Sequence, residues 1–250
     1  MRTVALCLAL TISLPLISAG QNSETSAAAT HKSPAITEYK LNNASRLYNF
    51  VIRTRAVQPE NLDGYREGPG TILIFKKGES KPLQIIVLKN LFFAVNDKGD
   101  PPVNTAPMYD DQGLINVGDF NFDGHEDFAV QTGHSGSYGG PSYSVYLFAP
   151  STGSFQLSKP MSNLIENSLG FFDVDPRRKR LVTFSKSGCC YHETDEYAVK
   201  NNHPVAVSRI VEDGRAEPKY VQVSHQTMAG GKWQTTSTER VPEPADDASK

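Results

Sequence analysis

Beyond its first twenty residues the 250-residue chain lacks any apolar run near the roughly 18 residues that a membrane-spanning helix needs, so no transmembrane anchor is expected. It also lacks a charge excess. With 25 basic and 27 acidic side chains and a net charge of −2, it has no electrostatic footprint for nucleic acid. No nucleophile elbow, His-Glu zinc motif or catalytic triad is legible, and the chain is not expected to be an enzyme. Cysteine is scarce, with three in all. Cys7 lies inside the N-terminal apolar run, away from the position of a lipidated cysteine, and only the adjacent Cys189 and Cys190 remain beyond it.

What is present begins with an export signal. Met1 and Arg2 precede an apolar stretch containing Leu6, Leu8, Leu10 and Leu14, and then come Ser18, Ala19 and Gly20. A short charged region, an apolar run too short for a span and small residues at a cleavage point read as a signal peptide over residues 1–19. A periplasmic or secreted protein is expected after its removal. Residues 20–45 are rich in Ser, Ala, Thr and Asn, offer little to bury, and read as a flexible leader. Residues 241–250 read as a flexible tail.

Between them, residues 46–240 alternate short β-branched or aromatic runs with Gly, Pro, Asn and Asp clusters. This predicts an all-β, antiparallel domain of short hairpins in a propeller-like or sandwich-like arrangement. Strands are expected at 71–75, 83–88, 91–95, 114–117, 128–131, 143–148, 171–174, 181–185, 191–199, 205–211, 220–224 and 232–236. Turns at 96–99, 151–153 and 212–214 carry hairpin signals. Helix is expected only near 45–55 and 161–167.

The strongest chemical signal is residues 119–127, Asp-Phe-Asn-Phe-Asp-Gly-His-Glu-Asp. Asp119, Asn121 and Asp123 alternate with Phe120 and Phe122, so oxygen donors converge on one side while aromatics face the core. Gly124 supplies a sharp turn, His125 falls where a backbone carbonyl would bind, and Asp127 closes the set. Calcium, which takes six to eight oxygens, fits this set; zinc prefers nitrogen or sulfur. The twelfth loop position is Val130 where an EF-hand carries Glu, and both flanks look like strands. The segment resembles the strand-loop-strand calcium motif of FG-GAP and VCBS repeat proteins.

One strand later, residues 133–143 hold four glycines, a proline, Tyr138 and Tyr143. Glycine-rich backbone carrying an aromatic makes this the best binding candidate, with Ser135 and Tyr138 free to enter a partner's cleft. In an oxidising compartment Cys189 and Cys190 are expected to pair with each other, the alternatives being free thiols or a link to another chain. A bond between neighbours closes almost no loop and would stabilise little. The basic turn of Arg177, Arg178, Lys179 and Arg180 reads as a solvated hairpin end or a contact for an acidic partner. Strand alternation puts His192 on one face and Glu193 and Asp195 on the other, so they form no metal or acid-base cluster.

In combination, GDFNFDGHEDFAV, SGSYGGPSYSVYLF, FFDVDPRRKRLVTFSKSGCC and YHETDEY resemble a family of periplasmic immunity proteins. These protect bacteria from antibacterial lysozyme effectors delivered by type IV secretion systems. The resemblance implies a calcium-containing β protein that inhibits a peptidoglycan-cleaving, lysozyme-type glycoside hydrolase. It implies calcium ligands at Asp119, Asn121, Asp123, His125 and Asp127. It also implies an inhibitory loop of Ser135, Gly136 and Tyr138, supported by Tyr143 and braced by the metal. The rival expectation is an FG-GAP-like adhesion or glycan-binding module with no enzyme target.

Overall fold

The computed structural model describes residues 34–106, 108, 112–215 and 218–242. The expected signal peptide, the first part of the leader and the end of the tail lie outside the described residues. The described chain is all-β apart from one short helix, and its strands form three antiparallel sheets, each a simple meander in a sandwich-like stack.

The first sheet contains β1 (Thr37–Leu41), β2 (Tyr48–Thr54), β3 (Tyr65–Lys76) and β4 (Gln84–Ala94) in that order. β1 corrects the leader expected through residue 45, since Thr37 to Leu41 pair in register with Thr54 to Phe50. β2 replaces the helix expected near 45–55. Tyr48, Phe50, Ile52 and Thr54 are buried while the residues between them are not, a period of two that a helix cannot bury on one face. The strands expected at 83–88 and 91–95 are one strand. A bulge between Gly68 and Gly70 on its partner absorbs the phase change, and Asn90 donates to Glu67 at 3.0 Å and to the Thr132 carbonyl at 3.2 Å. The turn at 96–99 closes on itself through Asn96 but leads out of the sheet and makes no hairpin.

The second sheet is β5 (Ile115–Gly118), β6 (Asp127–Gly133), β7 (Ser142–Ala149) and β8 (Ser154–Leu157). It is the middle layer. Phe128, Val130 and Tyr146 pack against Phe50, Ile52, Ile72 and Leu91 of the first sheet. Ala129, Val145 and Leu147 point the other way, onto Met161, Leu164 and Ile165 of α1 (Lys159–Glu166) and Leu181 beyond. Burial on both faces explains why β6 reads as a continuous apolar run at its centre. Phe128 is fully buried and stacks on Tyr146 at 4.9 Å, contributing about 1.5–3 kcal/mol as a buried large apolar side chain.

The helix is capped as its sequence suggests, with Ser158 as N-cap and Pro160 in the first turn. Met161, Leu164 and Ile165, at the spacing of one helical face, are its buried residues. The third sheet runs from β9 (Asp173–Asp175) and β10 (Arg180–Lys186) through β11 (Tyr191–Lys200), β12 (His203–Asp213) and β13 (Tyr220–Ala229) to β14 (Lys232–Pro242). Its later strands are mostly exposed. No helix among the described residues is long and apolar enough to cross a membrane.

Candidate functional site

The loop between β5 and β6 is tied together by its own acids. Asp119 accepts the backbone N–H of Asp123 at 3.0 Å and of Gly124 at 2.9 Å. Asp123 accepts His125 N–H at 2.9 Å, and its other carboxylate oxygen accepts from Asn121 Nδ2 at 2.9 Å. Phe120 is buried against Phe171 and Phe172, and Gly124 takes the left-handed φ of +89° that the turn requires.

Asp127 is fully buried at the start of β6. Its two oxygens accept Phe120 N–H and Phe148 N–H, each at 2.8 Å, and so clamp the loop to β7. Burial above all, with the charges of Asp123 and Asp119 added, holds its carboxyl up at about 7. A donor set of three carboxylates and one amide suits a hard cation that takes oxygen, and each carboxylate oxygen that accepts one N–H keeps a further lone pair. The residues therefore fit calcium in chemistry. Among the described residues no three His, Cys, Asp or Glu side chains converge as a ready-made metal group. The His125 ring leans on Asp123 at 3.1 Å and stacks on Phe148, which leaves its backbone carbonyl as the group for a cation.

Two anchors of this loop are invisible to sequence reading. Glu126 accepts from Ser45 Oγ at 2.5 Å and pairs with Arg46, which fastens the loop to the approach to β2. Hydrogen bonds from Ser45 and Arg46 outweigh burial and hold the Glu126 carboxyl below its ordinary range. Asn121 also donates to Asn202 in the β11–β12 turn at 3.0 Å.

The loop between β6 and β7 leaves the opposite end of the same strand. Ser135 N–H donates to Ser142 Oγ at 3.1 Å, the two hydroxyls meet at 3.0 Å, and Ser135 Oγ also reaches Glu166 at 3.4 Å. Gly136 is buried, and a Cβ there would stand 2.8 Å from the Pro141 carbonyl oxygen. The chain then makes one 3-10 turn, Ser137–Gly139, with Tyr138 in the left-handed region at φ 58°.

Tyr138 is 65% exposed, yet its position is defined. Its Oη accepts Gly188 N–H at 3.0 Å, and the Lys186 ammonium lies 4.9 Å from its ring centre. Gly188 belongs to the turn that holds the Cys189–Cys190 disulfide, present between neighbours whose Cα atoms are 3.8 Å apart. Tyr143 is the exception among the loop residues expected to meet a partner. It is 3% exposed, donates to the Gly113 carbonyl at 2.6 Å and packs edge-on to Phe171. It alternates inward with Val145 and Leu147 on β7, so it supports the loop from the core and is not presented.

The metal loop and this loop are linked through the core, where Phe120 and Tyr143 both pack on Phe171. Seven residues of β6 separate the two loops, about 20 Å of extended chain. Arg178 of the basic turn bridges Asp175 and Glu196, both at 2.6 Å, so this cation is used within the hairpin. Glu193 and Asp195 share Arg209 at 3.2 and 2.6 Å, while His192 lies on the other face beside Phe184.

Fold and site together define a three-sheet β protein that displays one pinned aromatic loop. The same fold occurs in a solved protein of Xanthomonas described as related to the type IV secretion system. The two superpose with a TM-score of 0.61 and 25% identity, over 82% of this chain and 100% of that chain. No protein-family model and no curated protein matches the chain.

Proposed function

We propose that this chain is an exported, non-enzymatic immunity protein that inhibits a lysozyme-type peptidoglycan hydrolase by presenting the Tyr138 loop to the enzyme's substrate cleft. The observation that carries the reading is Tyr138 itself, a large aromatic 65% exposed on a loop held by hydrogen bonds at Ser135, Gly136, Gly139 and Gly140 and at its own hydroxyl. A pre-set aromatic loses little freedom on binding, and such residues dominate interface energies. The motifs shared with periplasmic immunity proteins support this, as does the likeness to a Xanthomonas protein related to type IV secretion.

In this reading Asp119, Asn121, Asp123 and Asp127, with the His125 carbonyl, hold a calcium ion. Bound there, the ion cross-links the β5–β6 turn to the strands it joins and stabilises the folded state. The periplasm or the extracellular space is the site of action.

The test is inhibition of a panel of peptidoglycan hydrolases by the purified protein. Tyr138→Ala is expected to lose about 100-fold or more in potency, the scale of a hot-spot residue, with an unchanged thermal melt. Equal inhibition by the variant and the parent would sink the assignment of the loop.

A further inference from the structure

Behind the Tyr138 loop lies a cleft of about 590 Å³ where the three sheets meet. β3 and β4 contribute Tyr65 and Phe92, β6 contributes Gln131, the loop contributes His134 and Tyr138, and β10 contributes Lys186. That volume falls in the ordinary range of small-ligand sites.

Two properties of the lining select a ligand. The first is aromatic: Tyr65 and Phe92 stack at 5.2 Å, His134 meets Phe92 edge-on at 4.5 Å, and Tyr138 adds a ring beside Gly139 and Gly140. Phe92 is itself buried against Tyr65 and His134, so Tyr65, His134 and Tyr138 present the apolar ring surface, while glycine backbone lets a polar ligand come close. The second is Gln131, which is 4% exposed and whose Oε1 is buried with no hydrogen-bond partner among the described residues. An unpaired buried acceptor costs stability and marks a missing donor. Among the described residues that line the cleft there is no carboxylate, and Lys186 is the one full-time cation, too little for a polyphosphate.

We infer that this cleft binds an N-acetylhexosamine unit, with the sugar ring against the aromatic side chains and the acetamido N–H donated to Gln131. A hexosamine combines an apolar ring face, hydroxyl groups for the glycine backbone and one amide donor. The inference does not depend on inhibition of a hydrolase, because sugar binding is measured with no enzyme present.

The experiment is calorimetric and saturation-transfer titration of the full chain with triacetylchitotriose and with cellotriose, which has hydroxyls in place of the acetamido groups. Triacetylchitotriose is expected to saturate one site and cellotriose to bind about tenfold or more weakly, since a site built around one hydrogen bond rejects the analogue that lacks it. Gln131→Leu is expected to weaken triacetylchitotriose about tenfold while its melting temperature holds or rises, because the substitution removes an unpaired polar group. His134→Ala, a change at an exposed position, is expected to weaken binding as well, and it serves alone if Gln131→Leu does not fold. Absence of saturable binding, equal affinity for the two sugars, or parental affinity in a folded Gln131→Leu would each overturn the assignment. A purely structural role for Gln131 predicts a lower melting temperature with unchanged sugar affinity. Tyr138 is intact in every arm, so loss of sugar binding and loss of inhibition are read separately.

Discussion

Asp127→Ala is the most informative single substitution. The carboxylate is fully buried and accepts two backbone N–H groups at 2.8 Å, from Phe120 in the loop and Phe148 on β7. Truncation leaves both donors without an acceptor, at about 1–3 kcal/mol each. Part of that is returned, because burial and the charges of Asp123 and Asp119 make the ionised carboxylate itself costly in the absence of a cation. The net expectation is a loss of about 2–4 kcal/mol, which for a protein of this size lowers the melting temperature by about 4–15 °C. Melts followed by circular dichroism at pH 7.5, with calcium and with a chelator, test two separate claims. The parent is expected to melt lower in chelator and to recover with calcium, and Asp127→Ala to ignore both, through the linkage of ion binding to folding. A variant melting within about 2 °C of the chelated parent would refute the backbone clamp. A variant stabilised by calcium as much as the parent would refute the ligand assignment.

Two further outcomes follow from local geometry. Gly136→Ala places a methyl 2.8 Å from the Pro141 carbonyl oxygen and 3.0 Å from that of Gly140; it is expected to cost about 1–3 kcal/mol, read by urea denaturation, and to weaken inhibition although Tyr138 is present. Asp213 is held down to about 2 by hydrogen bonds from the Arg215 side chain and backbone, so this pair favours folding above the ordinary carboxylate range and loses its effect as pH falls through about 2. Arg215→Ala is expected to return the Asp213 carboxyl toward about 4 in an NMR titration, and an unmoved titration would show that the pair does not exist in solution.

The β class was legible because turn residues recur between short β-branched and aromatic runs. Sequence reading also places a helix near 161–167, where α1 lies behind its Ser158 cap. It missed β1, since Thr37–Leu41 is a polar edge strand whose order comes from pairing with β2 rather than from its own burial. Residues 45–55, expected as helix, hold β2 with Tyr48, Phe50 and Ile52 buried in alternation, and its pairing with β3 settles which period wins. Tyr143 falls at the start of the strand expected at 143–148, and with Val145 and Leu147 it forms the inward row of β7, which makes it a support of the loop and not a contact. The contacts of Glu126 with Ser45, and of Tyr138 with Gly188, join residues 81 and 50 positions apart and leave no local trace. Gln131 was equally hidden, because an amide among apolar strand residues reveals an unpaired oxygen only once its surroundings exist.

The topology also decides what the metal loop can do for the aromatic loop. Both hang from β6, but from opposite ends: Asp127 opens the strand and Gly133 closes it. A cation at Asp127 therefore cannot touch Tyr138, whose supports are Gly188, Lys186 and the Ser135–Ser142 pair. Any effect of the ion on the loop must pass through the core, by β6, by the Asp127–Phe148 link to β7 or by Phe171, and β6 is buried from Asp127 to Gln131 and packed on both faces. A close-packed strand of this kind stays in place until the domain unfolds. Chelation is thus expected to lower the melting temperature while leaving inhibition, measured well below that temperature, unchanged. A loss of inhibition in chelator with the fold intact would mean that the ion orders the Tyr138 loop directly, which this strand arrangement does not allow.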